Sequence, residues 1–344
     1  MTILAEPESA TDSLVPSIAI TDGPRPVRGR QAIDAPATTR RPQFGRDQLP
    51  PVDLDHTDPR VASAAWSADP DSPVDGWPLR VTDPTNVDGY RLVSRLGTGG
   101  MADVFCAVAP SGRPVAVKVL RATAEALQTC QREYELTQAV DADCTAPALS
   151  YGMSPAGPYL VTARLTGYRC GSTLVGKAAP AGQLRSLGSQ LARVLAAIHA
   201  NGIVHCDVKP SNLLIRANDV RLIDFGIARR IGELSTDNGT VQCTRGWAAP
   251  EQLRPAPATP ATDVFAWGCL IAHLASGVHP FASPSDEEWF WRIQSAEPYL
   301  SGLPHDLEEM IRWTLVRNPR DRPTAADLAM TWRTSDSALD LGEV

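Results

Sequence analysis

Between residues 203 and 215 the chain reads IVHCDVKPSNLLI, and seventeen residues after the aspartate of that run comes DFG. Asp207, Lys209, Asn212 and Asp224 thus belong to one short stretch and need a compact unit to carry them. The flanking patterns indicate how that unit is built. GYRLVSRLG (89–97) and DVFCAVA (103–109) read as two strands around a glycine turn, and RPVAVKVL (113–120) as a third with β-branched alternation. EALQTCQREYELTQAV (125–140) has helical spacing, and GPYLVTARL (157–165) returns to strand. Helices then dominate: the amphipathic 181–202, ending at a glycine, and 262–277, apolar nearly all round and opening on a capping Thr262 or Asp263. Segments 304–316 and 324–333 close the series. Strands first and helices after predict an α+β protein of two lobes, a small β-rich one and a larger α-helical one. No internal repeat is found.

LGTGGMADV (96–104) lies between the first two strands. Gly97 and Gly99 allow the backbone to approach phosphate oxygens with its N–H groups facing them. A glycine turn in a hairpin is a weak signal alone, and Ala102 stands where a third glycine would complete G-x-G-x-x-G. Lys118 arrives one strand later, placed to reach the phosphates of a nucleotide under that turn. Such a lysine needs a carboxylate: Glu133 on the next helix is the first choice, and Glu135, on a different face, the alternative. Asp207 would orient the proton of an attacking hydroxyl, Lys209 would neutralise charge on a moving phosphoryl group, and Asn212 and Asp224 would ligate a metal. Of 32 basic residues only Lys118, Lys177 and Lys209 are lysines, which suits sites where a compact ammonium is not replaceable by a guanidinium.

Composition limits the rest. With 344 residues and 43% hydrophobic content the chain can bury a large core, and its formal charge of −7 argues against a nucleic-acid partner. Seven cysteines without a C-x-x-C pair read as reduced thiols, neither a disulfide framework nor a zinc site. The first residues lack the basic and apolar regions of a signal peptide, and the longest apolar stretch, VFAWGCLIAHLA, is too short for a membrane span, so a cytoplasmic location is expected. Residues 1–86 hold 13 of the 30 prolines and only three aromatics, Phe44, Trp66 and Trp77; a disordered tail is expected there, and a short one at 334–344. Within the tail, Arg25, Arg28, Arg30, Arg40, Arg41 and Arg46 precede an acidic run. This is either a solvated tail or a docking and modification segment, with Thr38 and Thr39 beside Arg40 and Arg41.

From about Asp88 to Trp332 these motifs resemble those of the eukaryotic-type (Hanks-type) bacterial serine/threonine protein kinases. The resemblance implies the two-lobed kinase fold over 87–333, with lobes meeting near 165–166. It implies ATP and Mg²⁺ or Mn²⁺ as cofactors, Ser/Thr protein substrates, and autophosphorylation that would bring two copies together. Carried onto this chain, the family's roles make Lys118 and Glu133 an ion pair, Asp207 the catalytic base, Lys209 a γ-phosphate contact, and Asn212 and Asp224 the metal ligands. The nucleotide would lie against Leu96, Gly97, Thr98, Gly99, Gly100, Met101, Ala102, Asp103 and Val104 of the glycine loop. Ala116 and Leu214 would sandwich the base, with Thr162 as gatekeeper and Ala163 to Leu165 as hinge. AAPE at 248–251 matches the end of the activation segment, Asp263 a brace of the catalytic loop, Arg322 the partner of Glu251, and Thr244 a bridge between base and lysine. Lys209 favours Ser/Thr over Tyr acceptors. A nucleotide-binding scaffold without catalysis and a small-molecule phosphotransferase are the alternatives; the intact catalytic set opposes the first and the activation-segment ending the second.

Three departures stand out: Ala102 for the third glycine, Ala163 for a common hinge glutamate, and Cys206 for the arginine that ordinarily receives an activation-segment phosphate. Catalytic groups are unaffected. The segment offers Ser235, Thr236, Thr240 and Thr244 as hydroxyls, and at Thr240, where the resemblance puts an activating phosphate, that phosphate is expected to lack its usual partner, with Arg229, Arg230 or Arg245 as alternative receivers.

Overall fold

The computed structural model describes residues 76–123, 125–175, 179–217, 219–234, 236–237, 240–241 and 243–331, with no account of the side chains of 235–242. Thr38, Thr39, Lys177, Ser235, the side chains of Thr236 and Thr240, and both expected tails apart from 76–86 lie outside that description.

Six antiparallel strands build the first lobe: β1 (Asn86–Val87), β2 (Tyr90–Thr98), β3 (Ala102–Val108), β4 (Pro114–Leu120), β5 (Ala148–Ser154) and β6 (Gly157–Ala163). Their order is β1-β2-β3-β4-β6-β5. The period of two in β4 divides its residues cleanly. Val115, Val117 and Val119 join Phe105, Tyr159 and Val161 in a closed apolar layer on one face. Ala116 and Lys118 point to the other face, where Lys118 lies between Val104 and Leu160 on the flanking strands. Helix α1 (Ala126–Gln138) packs on this second face through Ala126 and Cys130, against Ala102, Leu120 and Leu160.

Residues 76–86 correct the expectation of a tail disordered to residue 86. Trp77 exchanges both main-chain hydrogen bonds with Arg95 of β2 (3.0 and 2.8 Å), and Asp83 pairs with the Arg95 side chain. Tertiary contacts thus order a segment whose own composition does not.

The second lobe is helical: α2 (Ala181–Ala200), α3 (Pro260–Ser276), α4 (Asp286–Ser295), α5 (His305–Thr314) and α6 (Ala325–Thr331). Helix α3 is its axis, with Val264 through Leu274 all buried, and Trp267 Nε1 donates to the Gly188 carbonyl of α2 (2.9 Å). Gly268 lets α5 close in, since a Cβ there would meet Thr314 Oγ1 at 2.0 Å. The helix begins earlier than its capping pattern suggested, at Pro260 after Thr259. Thr262 and Asp263 instead turn inward, to Glu251 and to the loop at 205–206.

Short strands line the junction of the lobes. β7 (Arg169–Cys170), β9 (Leu213–Arg216) and β10 (Asp219–Leu222) form one small sheet; β8 (Ile203–Val204) pairs with β11 (Arg229–Arg230), and β12 (Thr236–Asp237) with β13 (Thr240–Val241). The β9–β10 hairpin explains the spacing of the polar residues. It pairs Leu213 with Leu222, so Asn212 just before it and Asp224 just after it return to the same end, where Ile223 N donates to Asn212 O (2.9 Å).

Candidate active site

The loop between β8 and β9 is held from below by one carboxylate. Asp263 accepts from the amides of His205 and Cys206 (2.8 Å each) and contacts His199 Nε2 (2.9 Å). These bonds fix Cys206 at φ 65°, a left-handed conformation that a non-glycine residue adopts only when its surroundings impose it. Gln252 Nε2 adds a bond to the Cys206 carbonyl (2.9 Å), and His205 stacks edge-on to Phe225 of the DFG run at 4.7 Å.

Above this brace the polar residues converge. Thr244 Oγ1 donates to Asp207 Oδ1 (2.7 Å) and accepts from Lys209 Nζ (3.0 Å), while Lys209 Nζ stands 3.2 Å from Asp207 Oδ2. Asn212 Nδ2 donates to the Asp207 carbonyl (2.9 Å) and to Oδ2 (3.0 Å). That use of Nδ2 leaves the Asn212 Oδ1 end as an acceptor. Asn212 Oδ1 and the Asp224 carboxylate are both hard oxygen donors, a pair that fits Mg²⁺ or Mn²⁺ completed by phosphate oxygens better than a softer ion. Among the described residues no cluster of three His, Cys, Asp or Glu side chains forms an all-protein metal cage.

Lys118 crosses from the other lobe. Its Nζ donates to both oxygens of Glu133 (2.9 and 2.8 Å) and to Asp224 Oδ1 (2.6 Å), so it joins β4, α1 and the DFG run. The choice between Glu133 and Glu135 falls to Glu133, which is buried; Glu135 is exposed and accepts from Gln131 (2.9 Å). Burial alone would push the Lys118 ammonium down, but Asp224 and Glu133 outweigh it and hold it charged. Burial likewise would raise Asp224, yet Lys118 keeps it well below the usual carboxylate range. Gly226 permits this crowding, because a Cβ there would lie 3.1 Å from both Asp224 Oδ1 and Lys118 Nζ.

The glycine turn closes with Gly99 N donating to Ala102 O (2.8 Å), and a Cβ at Gly97 or Gly100 would meet nothing within 4 Å. Ala102 turns its methyl into the apolar cluster with α1, and Met101 is exposed. Leu96, Gly97, Thr98, Asp103 and Val104 are half-buried along the turn's edges. Ala116 lies opposite Thr162 on β6, both half-buried, followed by half-buried Ala163 and Leu165; Leu214 is buried on β9 in the other lobe. Ala163 N donates to Pro147 O (2.8 Å).

Arg322 grips Glu251 through two nitrogens (2.6 and 2.9 Å), fixing the end of the segment that runs from Asp224 past Thr244. Three features carry no signature in the sequence: Arg95 with Asp83, Gln252, and an ion pair between Arg132 on α1 and Glu233 (2.5 Å). Local spacing carries no signal for partners so far apart in the chain.

Comparison with known proteins agrees with this geometry. Residues 90–332 match the family model described as "Protein kinase domain". The chain is 38% identical over 269 residues to "Probable serine/threonine-protein kinase PkwA" of Thermomonospora curvata, covering 76% of this chain and 36% of that protein. It is 33% identical over 260 residues to "Serine/threonine-protein kinase AfsK" of Streptomyces coelicolor, covering 72% and 32%. With "Serine/threonine-protein kinase PknA" of Mycobacterium tuberculosis the figures are 35% over 249 residues, covering 68% and 58%. The chain therefore spans about a third of the first two relatives. Among the described residues no helix is long and apolar enough to cross a membrane. With the matched region extending over both lobes and every element of the cleft, the chain belongs to the protein kinase family.

Proposed function

We propose that the chain is an ATP-dependent serine/threonine protein kinase, transferring the γ-phosphoryl group of ATP to hydroxyls of protein substrates. The observation that carries this reading is the triangle of Asp207, Thr244 and Lys209, which sets a carboxylate and an ammonium on either side of one hydroxyl. In it Asp207 takes or orients the proton of the acceptor hydroxyl, and Lys209 offsets charge on the transferred group. Lys118, steadied by Glu133, holds the nucleotide phosphates under the glycine turn. Backbone donors of Gly97 to Asp103 face those phosphates, and the base lies between Val104 and Ala116 above and Leu214 below, beside Thr162, Ala163 and Leu165. Asn212 and Asp224 would hold Mg²⁺ or Mn²⁺, which would supply charge neutralisation at the nucleotide phosphates.

Autophosphorylation between two copies and a cytoplasmic location belong to the same proposal. A net charge of −7 supports protein over nucleic-acid partners. The kinase unit of this reading covers residues 87–333 together with the strap at 76–86. The test is incubation of the purified chain with labelled ATP, Mg²⁺ or Mn²⁺ and a general Ser/Thr protein substrate, beside Asp207→Asn. Label on Ser and Thr in the first and none in the second is expected. Equal labelling in both would overturn the assignment.

A further inference from the structure

Glu233 follows Asp224 by nine residues and reaches back to α1. Its Oε1 accepts from Arg132 Nη2 (2.5 Å) and its Oε2 from the Arg230 amide (3.0 Å). Arg132 is the residue directly before Glu133, on the helix that supplies the partner of Lys118.

The main chain at Glu233 is itself tied down. Its carbonyl accepts from Ala258 N (2.7 Å), Gly232 N donates to Ala258 O (2.9 Å), and Leu234 forms a bridge with Pro257. These partners lie just beyond Glu251, which Arg322 locks to the larger lobe. A continuous set of bonds thus runs from the larger lobe through Glu233 to α1. Burial would raise the Glu233 carboxyl, but the Arg132 hydrogen bond, the Arg230 amide and the charges of Arg132 and Arg229 hold it below its ordinary range. Nearby, Cys206 offers no cation and packs with Val204, Ile227 and Ala258.

We propose that Glu233 is a positioning residue that, through Arg132, fixes α1 and hence Glu133 against Lys118, so that the site is assembled without a phosphate on the 224–251 segment. The proposal rests on the kinase reading above. It sets a fixed carboxylate against the helix that carries Glu133. The pair is half-exposed, with 35% and 37% of the two side chains accessible, so its effect is moderate. A change of about three- to tenfold in rate is expected.

The test uses the full chain after phosphatase treatment, with Glu233→Gln, Arg132→Gln, the double variant and Arg132→Lys. Two readouts are compared: kcat/KM for ATP and hydrogen exchange of the α1 amides. Wild type retains its activity after phosphatase. Each Gln variant loses about three- to tenfold and exchanges faster over 126–138, the double is no worse than the worse single, and Arg132→Lys stays within about twofold of wild type. Additive losses in the double, or a Glu233→Gln chain with wild-type rate and exchange, would overturn the proposal. If wild type and Asp207→Asn are equally inactive the kinase reading fails, and the exchange comparison still decides on Glu233. If wild type is active and Glu233→Gln matches it in both readouts, only the positioning role fails.

Discussion

Asp83 closes on Arg95 from outside the sheet, facing Nε (3.2 Å) and Nη2, while Nη1 of the same guanidinium holds Thr98 and Asp103 at 2.6 Å each. Arg95 is only 4% exposed and lies 5.0 Å over the Phe105 ring. One buried arginine therefore ties the strap at 76–86 to both sides of the glycine turn. A buried charge so placed depends on its partners, and losing one leaves it partly uncompensated.

Truncation tests this directly. A chain beginning at residue 87 should melt below one beginning at residue 76 and show a higher KM for ATP, because the turn loses its outer tether. Asp83→Ala alone should cost about 1.5–3 kcal/mol, the range for a charged hydrogen bond, with Asp103 remaining as partner. Thermal melts of the three proteins, with and without ATP, provide the measurement.

Lys118→Met and Asp224→Ala should each lower the rate at least about a hundredfold, since positioning and charge stabilisation supply most of the acceleration in phosphoryl transfer. Glu133→Gln should lower it too, whereas Glu135→Gln should leave it within about twofold, as Glu135 meets only a neighbour on its own helix. Initial rates with labelled ATP separate these outcomes.

The cleft should also show a pH limb. Burial pushes Glu133 up to about 7, with Lys118 opposing and the Asp224 charge adding. Protonated Glu133 no longer ion-pairs with Lys118, so kcat/KM for ATP should fall as pH drops through about 7. The stability effect has the opposite sign. This carboxyl takes up a proton more readily when folded than at its ordinary 4.5, so the stability it contributes is fully present below 4.5 and is lost as pH rises to about 7. A flat kcat/KM profile between about pH 6 and 8 would contradict the assignment of that limb to Glu133.

Position 206 should resist an arginine. Cys206 is buried, held at φ 65° and packed with Val204, Ile227 and Ala258. Cys206→Arg forces a long cation into that apolar cluster and should destabilise by about 1–3 kcal/mol. Thr240→Ala should reduce activity by less than about tenfold, because no arginine stands at 206 to receive a phosphate. Urea unfolding of the first variant and initial rates of the second check the pair.

Much of the candidate site was legible because Asp207, Asn212 and Asp224 fall at short, fixed spacings, and the β9–β10 hairpin brings Asn212 and Asp224 to one end. Lys118 meets Asp224 from β4 of the other lobe, and there the signal was its place on an alternating strand after the glycine turn. Strand β5 escaped because its pattern is inverted: Leu149, Tyr151 and Met153 lie on the exposed face, and Ser150, Gly152 and Ser154 on the other. Helix α4 was hidden similarly, with Phe290 and Trp291 exposed and only Trp289 and Ile293 buried. The strap at 76–86 and the Arg132–Glu233 pair depend on partners distant in sequence, for which periodicity holds no information.

The two described lysines, Lys118 and Lys209, both lie in the cleft, bonded to Glu133 and Asp224 in one case and to Thr244 in the other. All other cationic side chains of the two lobes, as far as described, are arginine or histidine. An acetyl group transferred to an amine on the described surface therefore has only those two places to go. Either product loses the positive charge that a phosphate requires. Acylation at Lys118 or Lys209 would therefore act as an off-signal, because each ammonium is bonded within the cleft.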